Sequence, residues 1–189
     1  MKKWIFILSG LLAIQLILTA AVTLTGEDYE AFQAEEKVLS FDEKEVDSLR
    51  IEDGTDSVLL KKQEGKWLLP ESGNFPANQS SVEQLLGNLA IMKKGWPVAK
   101  TRSALRRFKV DEEQFERKLV LLSGDEAQAT LYVGTSPGFR KVHIRPANGD
   151  EVYAVMFNTW DAAAKADEWI DKDVLTLEES DLDRVEIPG

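Results

Sequence analysis

The stretch from Ser48 to Leu69 reads SLRIEDGTDSVLLKKQEGKWLL, and it decides the class of fold. Residues 48–52, 57–61 and 66–69 are apolar or alternate between apolar and polar side chains, which is typical of strands with one buried face. Asp53-Gly54 and Glu64-Gly65 separate these segments, and such pairs favour tight turns because glycine adopts positive φ angles without strain. The stretch therefore predicts an antiparallel meander of three strands.

The same signals predict two further hairpins toward the C-terminus. Gly124-Asp125 and Asn148-Gly149 are their turns. The strands that flank these turns are residues 118–122, 129–133, 141–145 and 151–155. We therefore expect most of the sheet to be antiparallel.

One clear amphipathic helix precedes these hairpins. Its apolar side chains recur at helical spacing and are Val82, Leu85, Leu86, Leu89 and Met92. Asn78 or Ser80 is suited to cap its N-terminus, and Gly95 and Pro97 end it. Residues 70–76 are predicted to form a loop, and residues 103–108 and 158–165 to form shorter helices.

Residues 4–24 form an uncharged run that would extend roughly 31 Å as a helix, close to the thickness of the hydrocarbon core of a bilayer. Lys2 and Lys3 precede the run and acidic residues follow it, so the positive-inside rule predicts a cytoplasmic N-terminus and an exported remainder. A cleaved signal peptide is the alternative, although its apolar core usually covers only about 7–15 residues. We expect an uncleaved single-pass anchor that contacts the lipid bilayer through residues 4–24.

These features predict an α+β fold in which an N-terminal transmembrane helix is followed by an antiparallel, β-rich extracytoplasmic domain with one main packed helix. Residues 174–187 align without gaps on residues 38–51, with five of 14 pairs identical. Either this is chance, or a second repeat starts here and continues past Gly189. The predicted parts are a cytoplasmic tail (1–3), the transmembrane helix (4–24), a juxtamembrane stalk (25–37), the α+β domain (38–173) and the start of the second repeat (174–189).

The exported part is acidic, with 21 basic against 33 acidic residues and a net charge of −12. This balance argues against a nucleic-acid partner, which requires positive charge. One segment is an exception, because residues 84–110 contain no Asp or Glu. Its cations and its tryptophan are the predicted contact residues for a partner or a membrane surface: Lys93, Lys94, Trp96, Lys100, Arg102, Arg106, Arg107 and Lys109. The alternative is that these cations offset acidic neighbours within the same fold.

No residue pattern predicts catalysis, a metal site or a bound cofactor. The chain has no cysteine and a single histidine, His143, which lies in an alternating strand where an imidazole is ordinary. Phosphate-binding glycine loops, a nucleophile elbow and a calcium loop are all missing from the sequence. The exported tryptophans are predicted to be core residues, with Trp96 as the expected exception.

Several short motifs resemble a bacterial family known as domain of unknown function 4340. They are Gly65-Lys66-Trp67-Leu68, Pro76-Ala77-Asn78-Gln79 followed by the helix, Leu131-Tyr132-Val133-Gly134, Val152-Tyr153-Ala154-Val155 and Trp169-Ile170-Asp171-Lys172 with Leu175. The resemblance covers residues 38–187. It departs at Phe108-Lys109-Val110, where the family often has Phe-Gly-Leu.

The resemblance implies an envelope accessory subunit, often associated with ABC-type export systems, with no established catalytic residues. Together with the anchor, it predicts a non-enzymatic accessory or scaffold subunit of an ABC-type permease and ATPase complex in the bacterial inner membrane, with its domain in the periplasm. A ligand-binding module for glycan or lipid in the envelope is the alternative.

Overall fold

A computed structural model describes residues 3–4, 10–15 and 36–175. The chain divides into two compact units, Met1–Gln33 and Ala34–Gly189. In the first unit, residues 3–4 and 10–15 are helical. The other residues of the run 4–24, residues 25–35 of the stalk and residues 176–189 of the second repeat lie outside the described residues. Among those that are described, no helix is long and apolar enough to span a membrane.

The second unit contains one antiparallel sheet of nine strands in its described part, in the order β4-β3-β2-β1-β6-β7-β8-β9-β5. This confirms the α+β class and the antiparallel, β-rich domain. The strands are β1 (Ser48–Glu52), β2 (Ser57–Gln63), β3 (Lys66–Leu69), β4 (Phe75–Pro76), β5 (Pro97–Ala99), β6 (Arg117–Ser123), β7 (Glu126–Val133), β8 (Lys141–Pro146) and β9 (Val152–Met156).

Two α-helices accompany the sheet, α1 (Gln79–Ile91) and α2 (Arg102–Arg107). The backbone N–H of Ser81 donates to Asn78 Oδ1 at 2.9 Å, so Asn78 is the N-cap of α1, as one of the two predicted candidates. The buried side chains of α1 are Val82, Leu85, Leu86, Leu89 and Ala90, which makes it the main packed helix. Short 3-10 helices lie at Pro70–Ser72, Thr159–Ala162, Ala166–Glu168 and Lys172–Leu175.

The predicted meander and hairpins are present, and the differences fall in short segments. The predicted loop 70–76 contains a 3-10 helix and the edge strand β4. Helix α1 ends at Ile91, before the predicted stop at Gly95 and Pro97, and Pro97 begins β5, which pairs with β9. The predicted helix at 158–165 is instead a short 3-10 helix, Thr159–Ala162. Asn158 caps its start, and the chain is already extended at Ala163.

The main core lies between α1 and one face of the sheet. Side chains that alternate along the central strands are fully buried there, among them Leu49, Ile51, Leu60, Leu119 and Leu121. Strand β1 is central because it pairs with β2 on one side and with β6 on the other. The predicted meander and the two predicted C-terminal hairpins therefore belong to one continuous sheet.

Several of the family-like motifs meet at one structural junction. Gln79 Oε1 accepts the backbone N–H of Trp67 at 2.8 Å, and Gln79 Nε2 donates to the carbonyls of Trp67 and Ala77 at 3.0 and 2.6 Å. The backbone N–H of Asn78 donates to the carbonyl of Trp169 at 2.7 Å. These motif residues therefore tie β3 to the start of α1 and to the C-terminal turn, which is a structural role.

A second, smaller cluster covers the opposite sheet face over strands β7 to β9. It contains Leu105, Val110, Tyr132 and Val152. Gly134 lies beside this cluster, and a Cβ atom there would come within 2.0 Å of the Phe108 carbonyl oxygen. Only glycine fits at that position without a backbone shift, which explains the glycine of the Leu131–Gly134 motif.

Candidate interaction surfaces

The basic segment, residues 93–109, runs from the loop after α1 through β5 and α2. Thr101 caps α2, since its Oγ1 accepts the backbone N–H of Ala104 at 3.3 Å. Ala104 and Leu105 are buried, so this short helix packs on the sheet and exposes its polar side. Arg102 and Arg106 are exposed and four residues apart, which places them on one helix face.

Three cations of this segment are held by acidic side chains of the same domain. Lys94 pairs with Glu36 at 2.5 Å, and its side chain is only 20% exposed. The other two pairs are Lys100 with Glu151 at 2.5 Å and Lys109 with Glu116 at 3.2 Å. These three lysines therefore fit the alternative prediction, in which the cations offset acidic neighbours within the same fold.

The other cations of the segment have different surroundings. The Arg107 guanidinium lies 4.6 Å from the centre of the Phe108 ring, a cation–π contact. Lys93, Arg102 and Arg106 are exposed, and none of them makes an ion pair with another described residue. The predicted contact set therefore divides into three internally paired lysines and a smaller group of cations that face solvent.

The ion pair of Lys100 belongs to a small hydrogen-bonded group at the sheet edge. Hydrogen bonds from Lys100 and from the Tyr153 hydroxyl hold the pKa of Glu151 below its usual range. Burial, together with the hydrogen bond to Glu151, raises the pKa of Tyr153 well above its usual value. Lys100 is thus held by an ion pair and a hydrogen-bonded group within the domain.

The tryptophans separate into core and surface residues. Trp67 and Trp169 are buried at 1% and 2% exposure, and Trp96 is 70% exposed, all as predicted. Trp160 is 85% exposed, so its predicted place in the core is wrong. The reason is the 3-10 turn at Thr159–Ala162, where Ala162 points inward and Trp160 outward.

His143 lies beside the second cluster, against Phe108. Its ring stacks on Phe108 with ring centres 4.1 Å apart, and its Nδ1 lies 2.8 Å from the Thr135 carbonyl oxygen. The side chain is buried at 7% exposure. Packing accounts for these contacts. The described residues contain no group of three or more His, Cys, Asp or Glu side chains that could hold a metal ion.

A surface that sequence reasoning missed lies on the sheet face opposite α1, over strands β1, β2, β3 and β6. Alternation along the strands places there the residues that we call the open face: Arg50, Leu59, Lys61, Lys66, Leu68, Val120 and Leu122. The three cations are exposed and the four apolar side chains are half-buried. None of the seven belongs to either hydrophobic cluster of the described chain.

The strand register makes the open face continuous. Arg50 lies opposite Leu59 on β2 and opposite Val120 on β6, and Lys61 lies opposite Leu68 on β3. The one acidic side chain of β1 on this face, Glu52, is paired with Lys118 at 3.3 Å. The sequence does contain a pattern that could have predicted this surface: in each alternating strand, these residues are the ones that lie between the core residues.

Two surface cavities of the described domain are small. One, of about 150 Å³, is lined by residues that include Ser81, Gln84, Trp160 and Glu168. The other, of about 210 Å³, lies between residues 39–40 and strand β7. Sites for small molecules usually enclose about 300–1,000 Å³, so these cavities fit at most one small group.

A family model described as "Domain of unknown function (DUF4340)" matches residues 67–189, about two thirds of the chain. No curated protein and no solved structure matches the chain.

Proposed function

The chain belongs to the DUF4340 family, and we propose that it is a membrane-anchored, extracytoplasmic, non-catalytic accessory or scaffold subunit of an ABC-type transporter or similar envelope complex. The anchor rests on the uncharged run 4–24 and its lysine flank. The domain supplies the binding surface.

The observation that carries the binding role is the open face. It combines exposed cations with half-buried apolar side chains in a domain that is otherwise acidic. Surfaces of this kind suit a protein partner, because the apolar atoms provide affinity while the charges select and steer an acidic partner.

Purification of the intact, tagged chain from native membranes in mild detergent tests this proposal. We expect a permease and an ATPase chain to be recovered with the wild type. The double variant Lys61→Glu, Lys66→Glu should lose them, because both lysines are exposed on the open face. Recovery of a partner-free monomer from the wild type would overturn the scaffold role.

The matched control is Glu83→Lys, a charge reversal on the exposed side of α1. It should leave the recovery unchanged, because it lies on the other side of the sheet. A loss of partners with this control as well would mean that charge changes away from the open face also disrupt association, and the assignment of the open face would be wrong.

Binding of an envelope glycan is a second candidate, and Trp160 is the observation that favours it. Its indole is 85% exposed beside the cavity that also contains Gln84 and Glu168. Exposed aromatic rings next to polar side chains can stack on sugars and orient them. Titration with soluble peptidoglycan fragments should then quench tryptophan fluorescence, and Trp160→Ala should abolish that change. An unchanged signal in the wild type would exclude this candidate.

A further inference from the structure

The basic segment begins where the chain enters the domain. The backbone N–H of Lys94 donates to the carbonyl of Glu36 at 2.8 Å, and that of Val38 donates to the carbonyl of Met92 at 2.8 Å. Lys37 and Lys93 form an antiparallel bridge between these two bonds. Residues 36–38 and 92–94 thus form a short antiparallel ribbon. The first residues of the domain are fixed to the first residues of the basic segment.

The inference rests on the proposed membrane anchoring. Twelve peptide links separate Leu24, the last residue of the apolar run, from Glu36. Under that premise the domain stays tethered to a lipid surface, and its side chains can be compared with the chemistry of that surface.

The chemistry of the basic segment suits an anionic lipid surface. Trp96 and Val98 are 70% and 48% exposed, and tryptophan prefers the headgroup region of a bilayer. Exposed cations are attracted to anionic lipids by the negative surface potential of the membrane. Three of the acidic side chains next to this segment are already neutralised by Lys94, Lys100 and Lys109. Lys93, Arg102 and Arg106 are exposed and make no ion pair with another described residue.

We propose that Lys93, Trp96, Val98, Arg102 and Arg106, which we call the lipid-facing patch, contact the anionic phospholipid headgroups of the membrane that anchors the chain. Outside the patch the net charge of the exported part is negative, which disfavours contact with such a surface over most of the domain.

The absence of cysteine from the sequence permits a direct test with the full chain. Val98→Cys, labelled with an environment-sensitive fluorophore, is reconstituted into phosphatidylcholine vesicles with and without phosphatidylglycerol. We expect blue-shifted, stronger emission when phosphatidylglycerol is present, and loss of that change in high salt. The matched label is Gln128→Cys on strand β7, exposed and outside the patch, which should report the same environment in both vesicles.

Charge variants separate this inference from the proposed function. Arg102→Glu with Arg106→Glu should abolish the change at position 98, while Lys61→Glu with Lys66→Glu should preserve it. Circular dichroism verifies that each variant is folded. If the charge-reversal variant is not folded, Arg102→Gln with Arg106→Gln takes its place. If the wild-type label responds equally to both vesicles while the chain resists a high-salt wash, the lipid contact is wrong and the anchor stands. If the wash releases the chain, the anchor is wrong, and emission recorded before the wash still decides the lipid contact.

Discussion

At the scale of single residues, Lys109 has an unfavourable backbone conformation. Its φ angle is +54°, a region that favours glycine, and the family resemblance has Phe-Gly-Leu at Phe108-Lys109-Val110. The lysine forms the turn that glycine would form, and its side chain pairs with Glu116. Because the left-handed conformation is costly for a residue with a Cβ atom, this turn stores strain.

We predict that Lys109→Gly is more stable than Lys109→Ala by about 1 kcal/mol. Both variants lose the exposed ion pair with Glu116, so their difference isolates the strain at the backbone. Thermal unfolding of the full chain in mild detergent measures this difference. Equal midpoints for the two variants would show that the turn relaxes without strain.

Asp47 makes the domain sensitive to acid. Its Oδ2 accepts the backbone N–H of Gly124 at 2.8 Å, and this hydrogen bond holds the pKa of Asp47 below its ordinary value of 3.8. A carboxyl with a lowered pKa in the folded state stabilises the fold above the unfolded pKa. That contribution is lost as the pH falls below 3.8 and through the lower folded pKa.

We therefore predict that Asp47→Asn is less stable than the wild type at pH 7, by about 1 kcal/mol for a weakened hydrogen bond. The gap should close as the pH falls below 3.8, because the wild-type carboxyl then becomes neutral too. Denaturation midpoints across a pH series provide the measurement. Asp125→Asn removes one charge from the same turn and controls for net charge. If the stability difference between the wild type and Asp47→Asn stayed constant at pH values below 3.8, ionisation of Asp47 would not contribute to stability.

At the scale of secondary-structure elements, one side chain joins a strand to a helix. The carboxamide of Gln79 bonds to the N–H and C=O of Trp67 as a neighbouring strand would. Trp67 is 1% exposed, so water cannot replace this partner readily. The start of α1 is thereby held against the end of the sheet.

We predict that Gln79→Ala lowers the free energy of unfolding by about 1–3 kcal/mol, since the backbone N–H of Trp67 would be left buried without its partner. Gln128→Ala, a change of the same side chain at an exposed position of β7, should have almost no effect. Chemical denaturation of both variants compares them. A loss of the same size in the control would mean that the junction contributes nothing specific.

At the scale of the whole molecule, the sheet is stable in the middle and protected at its edges. Both edge strands are two or three residues long and contain proline, Pro76 in β4 and Pro97 in β5. Proline lacks an N–H group and short edges offer little to pair with, so both features discourage edge-to-edge association. Central strands β1 and β6 have neighbours on both sides and fully buried core residues.

We predict that amide hydrogen exchange is slowest in β1 and β6 and fastest in β5. The backbone of β5 pairs only with β9, through an irregular register, whereas β1 is paired along its full length. Mass spectrometry of peptides after deuterium labelling measures the order. Protection of Val98 equal to that of Val120 would indicate that β5 has a second partner strand in solution.

The candidate surfaces show how far the sequence extends as a guide to function. Basic residues without acidic neighbours in the chain predicted a single contact segment, and that segment stays a prediction. The sequence could not separate Lys100 from Arg102, because Glu151 lies 51 residues away along the chain and meets Lys100 only through the pairing of β5 with β9. The open face consists of the side chains that alternate with the core residues, and the sequence does not say whether another element covers them.

The sequence by itself determined the local elements: the strands of the meander, the turns at Gly54, Gly65 and Gly124, and the helix α1 with two candidate caps, of which Asn78 is the one used. These depend on φ preferences and on side-chain period, which act between near neighbours. Only the tertiary structure decided that β1 pairs with β6, that Trp67, Gln79 and Trp169 meet, and which lysines find carboxylates. Those contacts join residues far apart in the chain, and alternation defines two faces of a strand without saying which one another element will cover.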